Sequence, residues 1–336
     1  MASKSQVGGM LLEEVVLFLL EGSGYRTVQS VRNDPTLTME RGSLCVKGRG
    51  TTHQIDAIAD YRFPPPFGQP NRLLVEAKLL DKPVGIEIVR NALGVHRDVS
   101  EYWVGRRGHN HGHRPRHHYQ YAIFSATSFS SYAQNYAFAH DIFLLTLNDS
   151  PFLQPVVAAV DGIAEHIADR INEDENLSLG DVRKNVRQRL EGRNNLNDTP
   201  IDLGMDQLID ACAEIRFGLL GMLQGRLPIL LVPHPGIHPE NLNLVEEVHI
   251  FWDNRGWYIR RRDGTDLFSF SLPKRLFELY ADEGTLGPIQ ALNLKGEMMR
   301  SITAFQYLQG GESRIIELRL DEMWLNDVLA RLRDAT

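Results

Sequence analysis

The chain has 336 residues, of which 43% are hydrophobic and 24% charged, and a formal net charge of −7. Such a chain is globular and long enough for about two domains, each with a core of its own. With only Cys45 and Cys212, it excludes a disulfide scaffold and a cysteine-based zinc site, and its charge argues against binding nucleic acid through overall positive charge. Local basic patches stay open, since a binding face needs only local charge. No stretch is apolar enough for long enough to span a membrane. Met1-Ala2-Ser3-Lys4 leads into an amphipathic helix rather than a signal peptide. The two cysteines suit a reducing cytosol, so a cytoplasmic location without membrane partners is expected.

Leu11, Leu12, Val15, Val16, Leu19 and Leu20 recur at helical spacing over residues 11–21, and Gly22 and Gly24 close that helix. Glu13 and Glu14 lie on it; for Glu14 a first-turn position favoured by the helix dipole is expected. Tyr25–Val28 and Ser43–Lys47 read as strands. Gly48-Arg49-Gly50-Thr51-Thr52 is a tight connection, with glycine where backbone turns or nears a ligand. A strand over His53–Ala59 then carries an isolated acid, Asp56. After a proline-rich loop at 64–70, the strand Leu73-Leu74-Val75-Glu76-Ala77-Lys78 ends in a carboxylate, a small residue and an ammonium. Side chains alternate along a strand, so Glu76 and Lys78 share a face. The two strands are expected to pair antiparallel, with their charged groups at one end.

A helix runs from Val84 to about Tyr102, with Ile86, Val89, Ala92, Leu93 and Val99 as its buried stripe. Residues 106–118 form the most basic stretch and contain no acid. A metal-binding histidine tract, a surface loop without a role and a phosphate-contacting loop are its three readings. In the third, Arg106, Arg107, Arg114 and Arg116 meet nucleic acid, with Arg49 and Arg90 as further candidates. Tyr121–Ala126 and Ile142–Leu147 read as buried strands around a helix at Ser128–Ala139, a crossover that extends a mixed sheet. A break follows at Asn148-Asp149-Ser150-Pro151.

Three segments are expected: an α/β domain over 1–150, a helical connector over 151–225 and an α+β domain over 226–336. The connector holds helices at 154–172, Leu177–Leu190 and Met205–Gln224. In the last segment strands are expected at Ile229–Val232, Val245–Trp252, Trp257–Arg261, Leu267–Leu272 and Arg314–Leu318, with helices near Lys274–Tyr280 and Asp321–Leu332. Arg260, Arg261 and Arg262, beside Trp257 and Tyr258, read as a solvated hairpin edge or a nucleic-acid contact.

Asp56, Glu76 and Lys78 are the groups that phosphodiester hydrolysis needs. Two hard carboxylates can hold Mg²⁺ or Mn²⁺, which activates water and contacts a phosphate oxygen. The Ala77 carbonyl is a further candidate ligand, and a nearby lysine orients water or stabilises developing charge. A Glu-x-Lys alone is weak, because salt-bridged strands supply it often; an Asp on the preceding strand strengthens it.

These motifs, in this order, resemble the PD-(D/E)XK nuclease superfamily, and within it the Mrr-like, type IV restriction endonuclease catalytic domains. The resemblance spans about residues 8–148. It rests on Glu13-x-x-Val16-x-x-Leu19-Leu20 with Gly24-Tyr25, on His53-Gln54-Ile55-Asp56, on Leu74–Lys78, and on Ser125–Ser130 with Ala133–Ala137. It implies an α/β restriction-endonuclease-like core, a mixed sheet flanked by helices, and a metal-dependent DNA endonuclease acting against foreign DNA. Glu13 is then an auxiliary catalytic residue. The Gln common after the lysine is replaced by the stretch Glu87-Ile88-Val89-Arg90-Asn91, where Glu87 or Arg90 stands in, and the Asp motif lacks its usual proline. Double-stranded DNA is the expected partner. Because cutting both strands often needs two sites, a homodimer or a partner defence protein is also expected. An inactive binding module with the nuclease fold, and an RNase or junction-resolving enzyme, remain open.

Overall fold

In a computed structural model, which describes residues 1–32, 34–62, 68–102, 117–192, 203–224, 227–253, 256–272, 287–308 and 312–334, helix α1 (Lys4–Gly22) starts at a capping box. The Gln6 N–H donates to Ser3 Oγ at 3.3 Å and the Ser3 N–H to Gln6 Oε1 at 3.0 Å. The helix therefore begins earlier than its apolar spacing suggests, with no acid in its first turn. Glu14 lies mid-helix, so the dipole explanation for it does not hold. Leu11, Leu12, Val15, Val16, Leu19 and Leu20 are all buried, which makes α1 a core helix rather than a surface one.

The chain divides into two compact units. The first comprises Met1–Glu21, Tyr25–Leu144 and Val160–Met205, and the second Gly22–Gly24, Leu145–Ala159 and Asp206–Thr336. These limits differ from boundaries at 150 and 225. Much of the expected connector belongs to the first unit, because arginines of helix α5 (Leu179–Leu190) pair with acids of α1.

The first unit carries a five-stranded mixed sheet. Its strands are β1 (Tyr25–Thr27), β5 (Ala57–Tyr61), β6 (Asn71–Lys78), β7 (His118–Ser125) and β8 (Ile142–Thr146), in the order β1-β5-β6-β7-β8. β5 runs antiparallel to β1 and β6, as expected, whereas β6 and β7 are parallel. Parallel neighbours need a crossover, supplied by α2 (Ile86–Ser100). α3 (Ser131–Ala139) follows β7, with Ser130 capping its N-terminus through the Ala133 N–H. Ile58, Leu74 and Ile123 from the sheet pack in one core with Val89 and Ala92 of α2 and Ala133 of α3.

The expected strand over His53–Ala59 is two strands in two sheets. β4 (Thr52–Gln54) closes a small antiparallel sheet with β2 (Leu37–Glu40) and β3 (Ser43–Lys47), while β5 joins the main sheet. Asp56 sits at the corner between them. The glycine-rich connection folds around Asp98 of α2: the Gly50 N–H donates to its Oδ1 at 2.8 Å, and His53 Nε2 lies 2.8 Å from its Oδ2. A Cβ on Gly48 would come within 1.9 Å of that carboxylate, so the glycine is there for Asp98.

The second unit is built on a closed seven-stranded barrel. Its strands are β9 (Leu219–Leu223), β10 (Leu227–Pro233), β11 (Val245–Asp253), β12 (Gly256–Arg261), β13 (Asp266–Phe270), β14 (Ser301–Tyr307) and β15 (Ser313–Leu320). They close in the order β10-β13-β12-β11-β15-β14-β9, and only β11 and β15 run parallel. Leu231, Val248, Ile250, Ile259, Phe268, Ile302 and Leu318 share its core, with α7 (Pro288–Met298) and α8 (Glu322–Asp334) contributing Leu294 and Leu325. The expected long helix over 205–224 is replaced by α6 (Asp206–Glu214) and then β9. The chain turns at Gly218, where a Cβ would meet the Ile215 carbonyl at 2.9 Å, and Gly221 lets β9 pass close to Leu231 and Ile302. β12 is not a sheet edge, because β11 and β13 flank it, and its arginines are paired: Arg260 with Asp266, Arg261 with Glu246 and, just beyond the strand, Arg262 with Asp321. The helix expected near Lys274–Tyr280 lies outside the described residues. Among those described, no helix is long and apolar enough to cross a membrane.

Arg72 of β6, only 1% exposed, is the largest charge buried in the first unit's sheet. It donates to Asp60 Oδ1 at 2.6 Å and Thr36 Oγ1 at 3.0 Å, and its Nη2 lies 2.7 Å from Asp34 Oδ2. Removing one partner of such a network strands the others without water. Arg72→Met should cost about 3–5 kcal/mol, seen as a lower urea midpoint; an unshifted midpoint would show that the two aspartates do not need Arg72.

Candidate active site

The end of β6 is placed by its neighbours. Ala57 pairs with Val75, and the preceding residue, Asp56, has already left β5. β6 continues past the last β5 partner, so its edge on that side is open at Glu76 and Ala77. The Asp56 carboxylate fills the gap, with Oδ2 accepting the Ala77 N–H at 2.9 Å. In a strand the N–H and C=O of one residue leave on the same edge, so the Ala77 carbonyl faces that gap too.

Glu76 and Lys78 share a face, and Lys78 Nζ lies 2.5 Å from Glu76 Oε1. Tyr121, on the parallel neighbour β7, donates its hydroxyl to Glu76 Oε2 at 3.1 Å. Burial, with the negative charge of Glu76, pushes that phenol well above its ordinary pKa, so it stays a proton donor. Each oxygen of Glu76 is thus held from a different side.

Glu13 of α1 is coupled to Asp56 by charge. Arg183 Nη2 of α5 donates to its Oε2 at 2.5 Å. Burial pushes the Glu13 carboxyl up; Arg183 opposes the shift and the charge of Asp56 adds to it. Burial also raises the Asp56 carboxyl, against the Ala77 N–H and Lys78, with Glu76 pushing it further up and Arg183 pulling it down. Asp56, Glu76, Lys78, Glu13 and Arg183 therefore form one electrostatic cluster. One step along α1, Glu14 is 2% exposed and is clasped by Arg187, Nε to Oε2 and Nη2 to Oε1, both at 2.7 Å.

Other candidates have different surroundings. Arg49 pairs with Glu101 at 2.8 Å, and Arg90 pairs with Glu87 at 2.9 Å while lying over the ring of Tyr136. Arg106, Arg107, Arg114 and Arg116 lie outside the described residues. Arg183, Arg187 and Tyr121 were not anticipated as site residues. Their signals were present: an acid at position 14, within the apolar repeat of α1, calls for a cation, and Arg183 and Arg187 share a face at i,i+4.

No family model matches the chain, and neither does any curated protein. Two solved structures are similar to parts of it. One is a protein of unknown function, AF1548, with 18% identity over 54% of this chain and 96% of that one, at a TM-score of 0.29. The other is the MspJI restriction endonuclease in complex with a 27-mer oligonucleotide, with 14% identity over 58% of this chain and 34% of that one, at a TM-score of 0.27. Similarity of this order says nothing of activity, and function is read from the geometry of the cluster.

A carboxyl whose pKa is raised by folding costs stability once it ionises. That cost is present above the folded pKa and disappears as pH falls toward the unfolded value. Asp56→Asn removes the charge and keeps an oxygen for the Ala77 N–H. In metal-free buffer at neutral pH it should raise the melting temperature by a few degrees, equivalent to about 1 kcal/mol. The gap from wild type should narrow on acidification; a variant less stable than wild type at every pH would contradict the assignment of Asp56 as a strained charge.

Proposed function

We propose that the first unit is a metal-dependent endonuclease that hydrolyses DNA phosphodiester bonds at Asp56, Glu76 and Lys78. One observation carries this reading. Glu76 and Lys78 of β6 and Asp56, from the corner that leads into β5, gather at one sheet end, with raised carboxyl pKa values at Asp56 and Glu13. Charges are seldom gathered at a desolvation cost without a ligand or a reaction to serve.

The donors suit Mg²⁺ or Mn²⁺. Among the described residues no three His, Cys, Asp or Glu side chains form a ligand group, but magnesium commonly takes one or two protein carboxylates and keeps several waters. Asp56, Glu76 and the Ala77 carbonyl would hold the ion. When bound, it lowers the pKa of water and polarises a phosphate oxygen. Lys78, held beside Glu76, presents a compact positive charge to the attacking water or to the charge that develops on phosphate. The Tyr121 hydroxyl fixes the Glu76 carboxylate so that one oxygen faces Lys78. Glu13 of α1 adds a further carboxylate whose charge is felt at Asp56. Restriction of foreign DNA is the role that the motif resemblance implies.

The purified chain should nick or linearise supercoiled plasmid in Mg²⁺ or Mn²⁺ and not in EDTA, with RNA and single-stranded DNA as parallel substrates. Asp56→Ala and Lys78→Ala should each lower the rate at least about 100-fold, the scale of losing a group that moves or orients a proton. Undiminished cleavage by either variant, with the fold intact, sinks the assignment; cleavage of RNA alone would move the activity to an RNase.

A further inference from the structure

Helix α5 does more than cover α1. With Gln29, it lines a cleft of about 400 Å³, whose other lining residues include Arg183, Lys184, Arg187, Gln188 and one acid, Glu191. The two arginines differ in how far they are committed. Arg187 spends Nε and Nη2 on buried Glu14 and Nη1 on the Gln29 amide oxygen. Its guanidinium is held on both sides and fixes α5 to α1.

Arg183 is held by one hydrogen bond and one longer ion pair. Nη2 meets Glu13, and Nη1 approaches Glu14 no closer than 3.6 Å. A guanidinium has five N–H donors in a planar fork, so several remain for a ligand. The side chain as a whole is 36% exposed. Arg183 thus lines the cleft, touches Glu13 and acts electrostatically on Asp56. It is the group that joins the cleft to the charged cluster.

The chemistry of the cleft favours an oxyanion. Planar donors and an ammonium suit phosphate, and the amides of Gln29 and Gln188 add neutral hydrogen bonds. Glu13 and Glu14 beneath the arginines cancel most of their distant field, so recognition works at hydrogen-bond range rather than by steering.

We propose that the α5 cleft binds the sugar–phosphate backbone of duplex DNA, and that Arg183 contacts the phosphate that lies between the cleft and the Asp56–Glu76 site. This rests on the nuclease reading for what happens to the bound strand, but binding itself can be tested apart from cleavage. Arg183 is then a binding residue contributed by a segment outside the span of motif resemblance, which ends near residue 148.

The test uses the full chain and a labelled DNA duplex, followed by fluorescence anisotropy in Ca²⁺ over a range of salt concentrations, with plasmid cleavage in Mg²⁺ measured alongside. A lost phosphate contact lowers the slope of log K against log salt by about 1. Arg183→Ala should show that drop and cleave at least about tenfold more slowly. Arg183→Lys, which keeps the charge, should restore the slope. Should Arg183→Ala unfold, Gln188→Glu tests the cleft without disturbing Glu13, and should weaken binding about tenfold. An unchanged slope in Arg183→Ala overturns the proposal even if cleavage is lost, since Arg183 would then act only through Glu13. Unchanged binding in Gln188→Glu, or no duplex binding by wild type, overturns it as well. Binding with the expected slope change but no wild-type cleavage would support the cleft and refute the nuclease reading.

Discussion

The register between β5 and β6 is the constraint on which the first unit's chemistry depends. Because Ala57 faces Val75, Asp56 arrives where β6 has outrun its neighbour, and its carboxylate accepts the open Ala77 N–H. A slip of one residue would turn Glu76 and Lys78 toward the opposite face and exchange Leu74 for Leu73 and Val75, which are buried on the other side of the sheet. The strand geometry that puts Leu74 on one face puts Glu76 and Lys78 there too. The cluster is in turn poor for stability. Asp56 and Glu13 are both partly desolvated and lie within reach of other carboxylates, and only Lys78, Arg183 and one main-chain N–H offset that.

The pairing of α1 with α5 is a second, separate constraint. Glu14 is buried and would be costly alone, but Arg187 supplies two hydrogen bonds and a charge. Buried ion pairs seldom add net stability, and their use is to specify one arrangement. Here the arrangement puts Arg183 one helical turn before Arg187, on Glu13. Glu14 and Arg187 thus hold α5 in place, while Glu13 and Arg183 stay available to the charged cluster.

Much of the charged cluster was legible in the sequence because its determinants are local. The Glu-x-Lys at the end of an apolar strand, the antiparallel partner with its Asp, and the acidic position on α1 all follow from periodicity or motif spacing. What was not legible depends on tertiary contacts. Nothing near Arg183 says that its helix lies against Glu13. The switch of sheet at Ile55–Asp56 is set by which strands accept hydrogen bonds on either side, and the run His53–Ala59 looks continuous without them. The capping box Ser3–Gln6 was a local signal that the apolar spacing outweighed. In the second unit, the short apolar stretch Leu219–Leu223 fits a helix and a strand equally by pattern, and the closed barrel decides between them. Gly218 and Gly221 were the available clues.

The most direct test of the cluster is to count the manganese ions it holds. In electron paramagnetic resonance titrations of the full chain, wild type should bind Mn²⁺, and Asp56→Asn and Glu76→Gln should each lose that binding. Glu40→Gln, away from the cluster on β2, should keep it. Mn²⁺ binding that survives both substitutions, or that depends on one carboxylate and not the other, would contradict a single site built from Asp56 and Glu76.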